Sequence, residues 1–213
     1  MNNEIALKTA SYLLDIKAVK LNIETPFTWA SGLKSPIYCD NRVTLSYHII
    51  RTYIRESFVN IILDKFGSVD MIAGVATGGI PQGILVAQNL GVPFSYVRAS
   101  AKSHGLTNKI EGIVHEGQSA VVIEDLVSTG KSSLNAVKAL RDKGCNIKGM
   151  LAIFTYGLDI AKENFEKANC PLFTLTNYDI LIKKALEEDY INSNDLQSLI
   201  KWRENPAEWG KNL

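Results

Sequence analysis

The chain has 213 residues, 46% of them hydrophobic and 21% charged, and a formal net charge of +1. That length can bury a sizeable core, and that balance excludes a disordered or fibrous polymer. The near-zero charge excludes a field broad enough to hold duplex nucleic acid by its phosphates, while a small anion at one local site stays compatible with it. Cys39, Cys145 and Cys170 are widely spaced, form no CxxC pair and have no accompanying His, so they read as reduced packing residues rather than zinc ligands. Glu4 and Asp15 interrupt the first apolar pattern, which argues against a secretory leader, and no run approaches the roughly 18 to 20 apolar residues that span a bilayer. A cytoplasmic protein with no membrane partner is expected.

From the start of the chain, Ile5, Leu7, Ala10, Leu13, Leu14 and Ala18 recur at helical spacing and predict an amphipathic helix over residues 3–18. Pro26, Gly32 and Pro36 break residues 19–45 into short runs, expected as small strands and turns that form a cap. Ser46 is the expected N-cap of a long helix through Phe66, with Gly67 as its stop. From Asp70 the pattern alternates: an apolar run (MIAGV), a Gly-rich turn (ATGG), a helix from Ile80 to Leu90 ended by Gly91, and a strand from Pro93 to Val97. Residues 99–112 are polar. A strand at Val121–Ile123, a helix from Lys131 to Lys143 with Leu134, Val137 and Leu140 inward, a strand at Ile147–Phe154, a helix over 158–168 and a short strand at Leu172–Leu175 follow. Alternating strands and helices predict an α/β fold, a parallel sheet flanked by helices on both faces. The organisation expected is an N-terminal helix and hood (1–45), an α/β core (46–176) and two short C-terminal helices (177–213) packed on it, with Trp202 and Trp209 as packing anchors.

The chemistry concentrates in VVIEDLVSTGKSS, residues 121–133. Three β-branched residues place Glu124 and Asp125 at the carboxyl end of a buried strand, where open parallel sheets form their ligand crevices. Two adjacent carboxylates there can accept hydrogen bonds from vicinal ribose hydroxyls or sit near positive charge developing on a sugar. Ser128, Thr129, Gly130, Lys131 and Ser132 lead straight into a helix, and their amides and hydroxyls make a nest for a phosphate dianion. GKSS imitates the end of an ATPase phosphate loop, but that motif needs a Gly five positions before Gly130, where Asp125 stands. An ordinary capped strand-to-helix turn would explain Thr129 and Ser132 but not the two acids.

Hydrophobic strand, Glu-Asp and Ser-Thr-Gly-Lys-Ser together resemble the donor signature of the type I phosphoribosyltransferases. Three further segments resemble the orotate phosphoribosyltransferases within them: FTWASGLKSPIYCDNR (27–42) their substrate hood, VATGGIPQG (75–83) their pyrophosphate loop, and VRASAKSHG (97–105) their mobile catalytic loop. The resemblance implies transfer of a phosphoribosyl group from 5-phosphoribosyl 1-pyrophosphate to orotate, in pyrimidine synthesis. It implies that Glu124 and Asp125 hold the ribose hydroxyls, that Leu126, Val127, Ser128, Thr129, Gly130, Lys131 and Ser132 bind the donor at its phosphate, and that Arg98, Lys102 and His104 meet the pyrophosphate. Lys102, His104 and Asp125 are the implied catalytic groups, and Ser128, Lys34 and Tyr38 the implied orotate contacts. It also implies Mg2+ held through substrate and water with no direct protein ligand, and a homodimer with shared active sites.

The chain departs from many members of that family where Ala30 and Ala99 replace Lys and Tyr156 replaces Arg. Lys34 or Arg42 is the candidate replacement partner for the orotate carboxylate. Two alternatives share the donor site: a phosphoribosyltransferase for another base, and a non-catalytic regulator that senses the donor and binds nucleic acid. The second would need a basic face or an added module, which the charge does not suggest.

Overall fold

The computed structural model describes residues 2–29, 32–99 and 109–209. It opens with helix α1 (Asn3–Asp15), followed by two small antiparallel ribbons. Strand β1 (Val19–Leu21) pairs with β4 (Ile37–Cys39), and β2 (Phe27–Thr28) with β3 (Lys34–Ser35). They are the small strands expected of residues 19–45. A 3-10 turn at Asn41–Ser46 leads into α2 (His48–Phe66). Ser46 is not the N-cap of α2: it closes the 3-10 turn, and Tyr47 takes the cap position without a side-chain bond. Gly67 does end α2.

The core alternates β5 (Met71–Val75), α3 (Gly79–Leu90), β6 (Phe94–Val97), β7 (Ile110–Glu111), β8 (Ser119–Val127), α4 (Lys131–Arg141), β9 (Asn146–Thr155), α5 (Asp159–Lys167) and β10 (Leu172–Asn177). Six of these strands form one sheet in the order β10-β9-β8-β5-β6-β7, parallel except for the antiparallel edge pair β6–β7. Both faces are covered, which is why its central strands read as unbroken apolar runs. In β8, Val121 and Ile123 join the core beneath α1, α2 and α3, while Ala120 and Val122 join the core beneath α4 and α5.

Among the described residues the tail holds three helices rather than the two expected: α6 (Tyr178–Glu187), α7 (Ser193–Glu204) and α8 (Pro206–Trp209). Trp202 is fully buried, donates its indole N–H to the Lys34 carbonyl at 3.2 Å and so ties α7 to the hood. Trp209 packs half-buried against the same core. No helix among the described residues is long and apolar enough to cross a membrane.

Candidate active site

In the sheet order the chain winds one way from β5 to β6 and the other way from β8 to β9 and β10. The carboxyl ends of β5 and β8 therefore flank the switch point, where open α/β sheets leave a crevice. The turn after β5 and the acids of β8 meet there. A Cβ built on Gly78 would overlap the Asp125 carboxylate, and one on Gly79 would overlap the Ile123 carbonyl oxygen. Only bare backbone lets the turn come this close, which is the physical reason for the paired glycines in ATGG.

The strand carrying the acids is longer than the apolar run predicts. Glu124 and Asp125 lie inside β8, held by β9 through the Glu124–Ala152, Leu126–Phe154 and Val127–Thr155 registers. Glu124 is 5% exposed, and its two oxygens accept from the Asp125 amide and the Ser133 hydroxyl, each at 3.0 Å. Burial pushes its carboxyl well above the ordinary range, helped by the side-chain bond to Asp125 and by that neighbour's charge. Asp125 is half-buried, and its backbone carbonyl accepts from the Asn41 amide at 2.6 Å. The acids thus divide into a buried Glu124 and a more accessible Asp125.

The loop from Val127 to Gly130 is held at three points, one by β9 and two by α5. Thr155 donates its hydroxyl to the Val127 carbonyl at 3.1 Å, Asn164 of α5 donates to the Thr129 carbonyl at 3.0 Å, and Gly130 sits at φ 77° where an added Cβ would meet the Phe165 ring. Ser128 is half-buried and Thr129, Lys131 and Ser132 are exposed at the amino end of α4. The Val127 side chain is fully buried, so it offers a ligand its backbone alone, while the half-buried Leu126 packs on the opposite core.

Arg98, at the end of β6, pairs with Glu111 at 3.3 Å. Together with Ala99, Lys109, Ser132 and Asn135 it lines a recess of about 80 Å3 between the β5 turn and α4. Lys102 and His104 lie outside the described residues.

In the hood, Lys34 is exposed and donates to the Thr28 hydroxyl at 2.9 Å. Tyr38 is 41% exposed with its ring 5.7 Å from Phe27. Arg42 forks onto Asp40 at 2.6 and 2.9 Å, and that pair lowers the Asp40 carboxyl below its usual range. Tyr156 is buried in an aromatic cluster with Trp29, Phe154, Tyr178 and Trp202. Sequence reasoning missed Asn41, Ser133 and Asn164. Ser133 lay within the motif; the other two act through contacts across the fold that no local pattern marks.

The fold, the acid pair and the phosphate nest at the switch point define a phosphoribosyltransferase, and the phosphoribosyl transferase domain family matches residues 45–175. The orotate phosphoribosyltransferase of Phocaeicola vulgatus is 56% identical over 200 residues, 94% of each chain, and that of Listeria innocua is 52% identical over 207 residues, 97% of this chain and 99% of that one. The chain belongs to the orotate phosphoribosyltransferase family. Among solved structures, UMP synthase from Leishmania donovani superposes with a TM-score of 0.75 at 25% identity, covering 92% of this chain and 42% of that one. Orotate phosphoribosyltransferase from Aeropyrum pernix shares the fold with a TM-score of 0.73 at 24% identity, covering 86% and 99%.

Proposed function

We propose that the protein joins orotate to the phosphoribosyl group of 5-phosphoribosyl 1-pyrophosphate, giving orotidine 5-monophosphate and pyrophosphate in pyrimidine nucleotide synthesis. The observation that carries this reading is the meeting of Asp125, the ATGG turn and the phosphate loop at one switch point, in a chain whose relatives at over half identity are orotate phosphoribosyltransferases.

Breaking the anomeric carbon–oxygen bond leaves positive charge on the ribose ring and negative charge on the departing pyrophosphate. The loop from Ser128 to Ser132, with the positive end of α4, anchors the 5-phosphate and fixes the ring against Asp125. Asp125 holds the ribose hydroxyls and stabilises the charge that develops beside it, and Glu124 backs it from below. Backbone amides of residues 76–79 and the Arg98 guanidinium face the leaving group. Lys102 and His104 close over it and exclude water that would hydrolyse the donor.

The donors at this edge are oxygens, the Asp125 carboxylate with the Ser128 and Thr129 hydroxyls, and they suit Mg2+, which keeps waters and accompanies substrate phosphates. Asp125 would hold the ion through water; when bound, it supplies positive charge to the pyrophosphate oxygens. A homodimer with shared sites belongs to the same reading. The three free, buried cysteines support a reducing, cytoplasmic setting.

Purified protein incubated with the donor, Mg2+ and a panel of bases tests the reading through pyrophosphate release. Orotate-dependent release is expected; release with another base alone, or with none, overturns it. Lys102→Ala should lower turnover far more than it weakens donor binding, and unchanged turnover would remove that loop from the chemistry. For the orotate carboxylate, Lys34 is favoured over Arg42, because among the described residues its ammonium is seen bonded to a neutral hydroxyl whereas the Arg42 charge is already matched by Asp40. Lys34→Ala is expected to raise the KM for orotate by about 10-fold, the value of one hydrogen bond to a charged group, with Arg42→Ala smaller. An unaltered KM in the Lys34 variant would assign the carboxylate to another group.

A further inference from the structure

Pairing between β8 and β5 runs from Ala120 to Ile123, where Ile123 stands opposite Gly74. Beyond that residue β8 keeps, among the described residues, only β9 as a strand neighbour, and the segment bearing Asp125 protrudes into the crevice. A side chain from the hood meets that segment. Asn41, 2% exposed at the start of the 3-10 turn, donates from Nδ2 to the Asp125 carbonyl at 2.6 Å, while its Oδ1 accepts from the Cys39 thiol at 3.3 Å. Its own carbonyl accepts from the Thr44 hydroxyl at 2.6 Å, which fixes the turn that presents it. Both ends of the amide are thus used, one on the hood strand β4 and one on the strand that carries the acid.

This bond joins two parts of the chain that the reaction needs in register. The hood strand that ends at Cys39 also carries Tyr38, and β8 carries the acid assigned to the ribose. An amide fits where a carboxylate would not, because it must donate to a carbonyl and accept from a thiol at once. We propose that Asn41 is a positioning residue: through the Asp125 carbonyl it sets the height of the Asp125 carboxylate at the ribose, and it locks the base hood to the donor site. The inference rests on the assignment of Asp125 to the ribose.

Two substitutions test it. Asn41→Leu keeps the bulk and removes the donor; Asn41→Asp keeps the shape but faces a carbonyl with a carboxyl, which can donate only while protonated. Around position 41 the other titratable or charged groups are Cys39, Asp40 and Arg42 on its own segment, Asp125 and Glu124 on β8, Tyr156 after β9, and His48 and Arg51 on α2. All are present in wild type and variant alike, so a pH dependence that appears in the ratio of their activities originates in the carboxyl introduced at position 41, directly or through its effect on these neighbours.

Both variants are expected to fold, by circular dichroism and thermal melting, and to lose roughly 10- to 100-fold in kcat, the penalty of misplacing a reacting group by about an ångström. KM for the donor, held mainly at its phosphate, should change by less than about 3-fold. For Asn41→Asp the ratio of variant to wild-type kcat should climb as the pH falls, because protonation restores the donor. A ratio flat with pH, or a loss confined to melting temperature with kcat per folded molecule unchanged, overturns the proposal. Absence of orotate-dependent turnover in the wild-type protein would instead overturn the functional reading beneath it.

Discussion

Asp125→Asn is expected to lower kcat by roughly two to three orders of magnitude, the range seen when one preorganised electrostatic partner of a transition state is removed. The substitution leaves shape and hydrogen-bonding reach almost intact and deletes the charge, so the loss reports on charge alone. The adjacent acid is the control. Glu124 is buried, and its carboxyl is driven toward the neutral form first by that burial and then by Asp125. A neutral amide in Glu124→Gln keeps an acceptor for the Asp125 amide and a partner for the Ser133 hydroxyl. Its kcat should fall far less. Burial and the neighbouring Asp125 raise the Glu124 carboxyl, so the two acids take different roles, Asp125 beside the substrate and Glu124 supporting it from within. Steady-state pyrophosphate release by both variants at neutral pH measures the difference. Near wild-type turnover in Asp125→Asn, or a larger loss in Glu124→Gln, would reverse the assignment.

The same pair illustrates what the sequence discloses and what it withholds. Val121–Ile123 is legible as a strand because a sheet covered on both faces demands an unbroken apolar run. Its continuation through Val127 is not, since two acids end the run, and only the register with β9 keeps the backbone extended. The phosphate loop is legible because Ser, Thr and Gly must lie next to one another to build an amide nest. Its outer fastenings are not: Asn164 reaches the Thr129 carbonyl from 35 positions away and Asn41 reaches the Asp125 carbonyl from 84. Ser46 carries the side chain of a helix cap, yet the 3-10 turn begun at Asn41 places it one residue too early. The third tail helix did leave a signal, Pro206 at its first position, where a missing N–H costs nothing. Tyr156 was legible as a departure, but its burial among four aromatic rings follows from the tail folding back against the hood.

The turn after β5 offers the second large effect, and it separates activity from stability. Gly78 has ordinary helical backbone angles, so alanine there meets no conformational strain. The obstacle is the Asp125 carboxylate, which a new methyl group would overlap. That carboxylate is the far end of a half-buried side chain, tied among the described residues only to the Glu124 side chain, and can swing aside. Gly78→Ala should therefore fold with little change in melting temperature while kcat falls by about 100-fold, because the acid has left the position the ribose requires. Gly79 presents the opposite case. Its added methyl would meet the Ile123 carbonyl and the Glu124 Cα, backbone atoms fixed within the sheet. Gly79→Ala must displace α3 from β8, and overpacking of that kind costs about 1–3 kcal/mol. Melting temperature and kcat measured side by side distinguish the two. If Gly78→Ala kept full activity, the turn would not be packed against a carboxylate whose place matters. If it lost stability as Gly79→Ala does, Asp125 would be held too rigidly to yield, and the close approach of the two loops would serve the fold before it serves the reaction.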